Sequence, residues 1–282
     1  MTGGLLALLI GSAFYMVLFL YWCFFGWGDT TGGLTGRSRP SEGICQTTGN
    51  QEVQADRADI WTGPAGTMAV VADGIGSANT GAICAQIAVD TILDQFEPYW
   101  ELNNPAYFFR TAFFEANRRI QETIGDRRGG ACAGVVFLDR THLHYAVAGD
   151  VRIALLRGEE LIPLSKGQTL DVLAAQAYEE GKISRQDAVW SMEEKRIWNY
   201  LGQDGFHEIE ICENPIRLKA GDKVLLISKG VFEELSWREM EDILVDNQPA
   251  QELAGRLIRE TEQKNDPEKD NGSVILIQRT EA

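Results

Sequence analysis

No charged residue occurs before Asp29, and beyond it positive charge is the scarce kind: 26 Lys and Arg against 41 Asp and Glu, a net charge of −15. Phosphate backbones need clustered basic residues, so a nucleic-acid partner is not expected. The acidic surplus suits a cation site, although it reads equally as solvated surface. Cysteine is sparse: Cys23, Cys45, Cys84, Cys132 and Cys212 are odd in number and form no C-x-x-C pair. That excludes a disulfide framework or a zinc ribbon and leaves reduced thiols. His142 and His144 alternate onto one face of the HLHYAV run with no third histidine nearby, so they read as strand surface rather than metal ligands. Low-complexity bias and internal repeats are missing too. With 282 residues, 44% hydrophobic and 24% charged, the chain is long enough to bury a sizeable core without staples.

What the first 27 residues do have is a long apolar run. Residues 5–25 read LLALLIGSAFYMVLFLYWCFF. About 20 such residues let a helix cross the hydrocarbon core of a bilayer. Tyr21, Trp22 and Trp27 gather at one end, as an interfacial aromatic belt does. A cleaved signal peptide is the competitor, but it wants a basic start and a small-residue cleavage site, whereas this segment begins MTGG and ends in bulky aromatics. The reading is one uncleaved anchor over residues 1–27, in a cell membrane, crossed once. Arg37 and Arg39 follow the helix and nothing basic precedes it, which places the large domain on the cytoplasmic side. Residues 28–46, rich in Gly, Thr and Ser, read as a flexible linker, and residues 47–282 as the folded domain.

Within that domain apolar runs and amphipathic stretches come in groups. GTMAVVADGIG is a continuous apolar run closing on Asp and Gly, the pattern of a buried strand feeding a turn. Residues 80–96 have helical spacing, with Ile83, Ile87 and Ile92 near one face, and residues 105–124 form a second helix with Pro105 near its start. ACAGVVFLD, HLHYAVAGD and VRIALLRG then read as strands, residues 170–200 as a polar helical stretch, KVLLISKG as a strand, residues 236–262 as two amphipathic helices, and SVILIQR as a closing strand. Grouping rather than strict alternation suits an α+β sandwich better than a parallel doubly wound sheet.

Four acidic or glycine-marked turns follow or precede apolar strands: VVADGIG at Asp73, AVAGD at Asp150, LLISKG at Lys229 and EKDNGSVILI at Asp270. Hard oxygen donors gathered from distant strand ends are what Mg²⁺ or Mn²⁺ requires. Each turn alone is common; their order is specific. From about Thr47 to Arg279 the chain resembles the metal-dependent (PPM, type 2C) serine/threonine phosphatases. VADGIGS resembles that family's aspartate–glycine motif, Ala148-Gly149-Asp150 its glycine–aspartate–serine motif, LLISKGVFEEL its strand ending in serine–aspartate–glycine, and Asp270-Asn271-Gly272 its last aspartate–asparagine motif. EEGKISRQDAVWSMEEKRIWNYLG resembles the bacterial flap. The resemblance implies an α-β-β-α sandwich, two antiparallel sheets flanked by helices, here preceded by one transmembrane helix. It also implies two bridged Mn²⁺ or Mg²⁺ ions that activate a water against a phosphoserine or phosphothreonine.

Carried over residue by residue, the site is incomplete. Asp73 matches the bridging aspartate, the Gly74 carbonyl a backbone ligand, Asp270 the last metal aspartate, Asp56 the second residue of an acidic pair, and Asp150 an aspartate tied to an additional metal. Lys229 stands where the family has a metal-binding aspartate, Ala55 where it has a glutamate ligand, and Gln51 where it has a phosphate-gripping arginine. A protonated lysine has three donors and no acceptor, so it replaces a cation rather than binding one; the alternative is a Lys229 turned to solvent beside one weakened metal site. Three readings follow. The first is a membrane-anchored, catalytically impaired phosphatase-like module that binds a phosphoprotein or kinase-pathway protein, with no cofactor. The second is an active Mn- or Mg-dependent protein phosphatase with an altered site, and the third a structural subunit of a membrane assembly.

Overall fold

The computed structural model describes residues 40–96, 104–192 and 196–279. In chain order they form β1 (Ser41–Thr47), β2 (Arg57–Gly63), β3 (Gly66–Gly76), α1 (Ala78–Asp94), α2 (Pro105–Ile124), β4 (Gly129–Leu138), β5 (His142–Ala148), β6 (Arg152–Arg157) and β7 (Glu160–Pro163). There follow α3 (Leu170–Glu179), α4 (Arg185–Met192), β8 (Glu210–Ile211), β9 (Ile216–Arg217), β10 (Lys223–Ile227), α5 (Lys229–Phe232), α6 (Trp237–Leu244), α7 (Ala250–Gln263) and β11 (Gly272–Gln278). One sheet runs β1-β11-β10-β6-β7 and the other β2-β3-β4-β5-β8, with β9 also on β5. Every pairing is antiparallel.

The apolar runs are continuous because both faces of each sheet are covered. In β3, Ala69 and Val71, with Val136 of the neighbouring β4, face the opposite sheet, where the cluster takes in Ile153, Leu226 and Ile275. Met68, Val70 and Ala72 point the other way, against α1 and α2. Strands β10 and β11 repeat the pattern: Val224, Leu226, Ile275 and Ile277 face inward, while Leu225, Ile227, Val274 and Leu276 pack under α6 and α7. Each such large side chain, fully buried, contributes about 1.5–3 kcal/mol. The result is the expected four-layer α-β-β-α arrangement.

Local signals set the helix ends. Asn104 caps α2, accepting from the Tyr107 N–H, and Pro105 sits where a missing N–H costs nothing. Ser236 and Glu239 close a reciprocal capping box on α6. Helices α3 and α4, within the stretch read as polar helix, pack mainly on each other, and among the described residues they bury Ala174 and Ala188 alone.

Two expectations are corrected. Ser41 to Gln46, read as the end of the linker, belong to β1, which pairs along its length with β11. The composition of SEGICQT hides this, because only Gly43 and Thr47 are buried while the strand's pairing comes from β11. Ile83 is exposed rather than on the buried face of α1. That face is made of the small residues Cys84, Ala85, Ala88 and Val89 with Ile92, which let α1 sit close to β3. Among the described residues no helix is long and apolar enough to cross a membrane, and the run at residues 5–25 lies outside them, as does Cys23.

Strand register decides where the site forms. The last β2–β3 pair at one end is Arg57↔Ala72, so Ala55, Asp56 and Asp73 sit just beyond it. In the other sheet Ile227 pairs with Val274, which puts Ser228, Lys229, Asp270 and Asn271 just beyond that pair.

Candidate functional site

Backbone contact brings these four segments together. A Cβ on Gly74 would lie 2.4 Å from the Gly81 carbonyl oxygen and 2.7 Å from that of Ala55. One on Gly230 would lie 2.1 Å from the Asn271 carbonyl oxygen and 2.8 Å from that of Asp270. Only glycine permits those approaches, which is the physical content of the Asp-Gly and Lys-Gly pairs. Asn271 knits the remaining segment in: its Oδ1 accepts from the Ala55 N–H at 2.7 Å and its Nδ2 donates to the Thr48 carbonyl at 2.9 Å.

Asp56 is almost wholly buried, and its Oδ2 accepts from the hydroxyls of Ser228 at 2.7 Å and Ser273 at 2.8 Å. Burial, with the neighbouring charge of Asp73, pushes its carboxyl well above the usual carboxylate range, against the pull of the two serines. Asp73 accepts at Oδ2 from the Lys229 backbone N–H at 3.4 Å. Burial and the charge of Asp270 raise it to about 7, partly opposed by Lys229. The Lys229 ammonium lies 3.4 Å from Asp270 Oδ2 and 3.4 Å from Glu233 Oε2. Burial works to lower its pKa, but the carboxylates of Glu233 and Asp270 more than offset that and hold it above the ordinary lysine value.

Of the positions picked out in the sequence, Asp56, Asp73, Gly74, Lys229, Asp270 and Ala55 therefore meet at one end of the sandwich. Ala55 offers only its backbone. Gln51 is exposed and spends its side-chain amide on the Lys269 carbonyl at 3.3 Å. Asp150, on the turn between β5 and β6, forms an ion pair with Arg152 at 2.7 Å. The Arg152 guanidinium also lies 5.1 Å from the centre of the Phe232 ring, on the helix that carries Lys229. His142 and His144 lie on β5 away from these groups: His144 stacks on Phe137 and faces Asp139.

Sequence reasoning missed four participants. Glu233 follows Lys229 by four residues, the spacing at which helical side chains meet, so its signal was present. Arg152 stands two residues after Asp150. Ser228 and Ser273 had no signal, because their role depends on register between distant strands.

The family chemistry needs two divalent ions, and the residues present do not fit that pair. Hard cations need a surplus of oxygen donors, yet an ammonium stands beside Asp270, Asp56 Oδ2 is taken by two hydroxyls, and Asp150 is paired with arginine. Among the described residues no three His, Cys, Asp or Glu side chains converge with metal-binding geometry.

Comparison with known proteins agrees with the fold. Residues 46–265 match the family model described as protein phosphatase 2C. The protein phosphatase PhpP of Streptococcus pneumoniae is 28% identical over 226 residues, covering 76% of this chain and 87% of that protein. The solved serine/threonine phosphatase of S. agalactiae superposes with a TM-score of 0.74 at 20% identity, covering 86% of this chain and all of that one. The catalytic domain of the phosphatase PstP, solved in complex with two manganese ions, superposes with a TM-score of 0.65 at 21% identity, covering 86% and 99% of the two chains.

Proposed function

The chain belongs to the protein phosphatase 2C family, and from that premise we propose that it is a phosphatase-like regulatory module that has lost hydrolysis and is tethered to the cell membrane. The observation that carries this reading is the Lys229 ammonium 3.4 Å from the Asp270 carboxylate, at the position where the family places a metal-binding aspartate. A divalent ion on the same carboxylate would lie on the order of 4 Å from that ammonium, a repulsion of about 2 kcal/mol with full solvent screening and about 8 at an effective dielectric constant near 20. The Lys229 side chain is 37% exposed, which favours the lower figure. Even that weakens an ion roughly 30-fold. Gln51 adds to the deficit, because an amide spent on a main-chain carbonyl cannot grip a phosphate as a guanidinium does.

The relatives are named as protein phosphatases, which supports a phosphoprotein or a kinase-pathway component as partner. The apolar run at residues 5–25 and the basic residues after it support a single-pass anchor with this domain on the cytoplasmic side. Mn²⁺-dependent hydrolysis of p-nitrophenyl phosphate and of a phosphothreonine peptide by the detergent-purified full chain tests the reading. Turnover at background is the expected result. Turnover that rises with Mn²⁺ and vanishes in EDTA would establish the alternative, an active Mn- or Mg-dependent phosphatase with an altered site.

A further inference from the structure

We infer that Lys229 and Glu233 form a built-in cation station, which keeps the acidic end of the sandwich assembled with no metal. The inference rests on the family reading above and deepens it, from loss of hydrolysis to what holds the site in its place. Asp73, Asp270 and Glu233 all bear on Lys229, and Asp56 and Asp73 bear on each other. In a strand-end cluster of this kind like charges repel, and something positive has to sit among them or the loops spread. Lys229 meets that need from two directions. Its backbone N–H donates to Asp73 Oδ2, and its ammonium reaches Asp270 Oδ2.

Glu233 is the part that makes this a station rather than a chance contact. It lies one helical turn along from Lys229, and its carboxylate stands as far from the ammonium as Asp270 does, 3.4 Å in each case. The ammonium is thus held between a carboxylate of its own helix and one from the loop before β11. The helix is fixed against that loop by the Gly230–Asn271 backbone contact. Arg152, packed over Phe232 of the same short helix, pairs with Asp150 and so occupies a further carboxylate near the site. The Lys229 ammonium is therefore drawn toward the cluster by two carboxylates, with 37% of its side chain still exposed.

Thermal unfolding of the full chain in detergent, with EDTA or with millimolar MnCl2, tests this. The parent's Tm should agree between the two conditions within about 1 °C, since it binds nothing that linkage could read. Lys229→Asp places another carboxylate among Asp73, Asp270 and Glu233; its Tm should fall by about 4 °C or more in EDTA and recover in Mn²⁺. Glu233→Gln should lower Tm by about 2–4 °C in both conditions, with no metal rescue. If Lys229→Asp fails to fold, Lys229→Met serves: it should be less stable than the parent in EDTA and gain in Mn²⁺. A parent stabilised by Mn²⁺ as much as either Lys229 variant overturns the inference, as does a Lys229 variant as stable as the parent in EDTA. The two proposals fail separately. Metal-dependent hydrolysis by the parent defeats the loss of activity, whereas an inactive parent that gains stability from Mn²⁺ defeats only the cation station.

Discussion

Replacing Asp56 with alanine separates a structural carboxyl from a metal-binding one. In the fold Asp56 is a hub: Oδ2 accepts from Ser228 and Ser273 hydroxyls, the Ser273 N–H donates to Ser228 Oγ at 2.8 Å, and Gln46 Nε2 donates to Ser273 Oγ at 2.9 Å. Asp56→Ala removes two hydrogen bonds, each worth about 1 kcal/mol to a neutral acceptor and about 1.5–3 to a charged one. It also strands two buried hydroxyls, at about 1–3 kcal/mol if neither finds a new partner. Against this stands relief of the desolvation that pushes the Asp56 carboxyl upward. The terms leave a net loss of about 3 kcal/mol, or about 6–12 °C in Tm for a domain of this size. Urea unfolding of the full chain, followed by tryptophan fluorescence, reads it. A double-mutant cycle with Ser228→Ala should show coupling of about 1 kcal/mol or more. The loss should be equal in EDTA and in Mn²⁺. A change within about 0.5 kcal/mol of the parent, or a loss confined to Mn²⁺, refutes the hub and returns Asp56 to the role the family resemblance implies.

Two further perturbations test the frame around the site. Asp139 closes the β4–β5 turn, its Oδ1 accepting from the Thr141 and His142 N–H groups at 2.6 and 2.7 Å. Burial raises its pKa, but the His144 ring and those amides outweigh burial and hold the carboxyl below its ordinary value of 3.8. A carboxyl depressed in the folded state stabilises fully above its unfolded pKa and loses that contribution as pH falls below it. Asp139→Asn should therefore lower stability most at pH 7, where the carboxylate's contribution is full, and flatten the acid limb of the stability profile below about pH 4; an unchanged limb refutes the assignment. Lys269 is buried and donates to the carbonyls of Glu262 at 2.8 Å and Lys264 at 2.7 Å, capping the end of α7 beside Asp270. Lys269→Met should cost about 1–2 kcal/mol and speed amide exchange in the last turn of α7. Unaltered exchange there would mean the cap is idle.

Most of the fold was legible because its strands are covered on both faces. Runs such as MAVVA and VILI read as buried strands whichever sheet they join, α2 and α6 carry their own caps, and α2, α6 and α7 carry apolar stripes. Strand β1 was not legible, since SEGICQT has too little apolar character and owes its place to the free edge of β11. Ile83 misled because periodicity reports which residues share a face and not which face is covered. On α1 the close approach to β3 selects cysteine and alanine over the larger isoleucine. At the site, motif order picked out positions that the fold gathers at one end, and the charge of Lys229 suits the contact it makes with Asp270.

What the sequence did not show is how the reversed charge is accommodated. A lysine placed among aspartates has two outcomes: it swings to solvent, leaving the carboxylates to repel one another, or it is drawn in and becomes their counter-ion. The choice depends on whether a second acid stands near enough to hold the ammonium once Asp270 has attracted it. Glu233 is that acid, and its spacing from Lys229 is set by the helix and not by the site. The contact is partly solvent-exposed, so on stability grounds alone it would be worth about 1 kcal/mol or less. Its importance lies in the comparison with a metal. On the proposed reading, what counts against a divalent ion is less the strength of this pair than the repulsion the same lysine adds at Asp270. By the same reading, the charge reversal at one position both removes a ligand and supplies its substitute, and the carboxylates around it keep a cation to organise them.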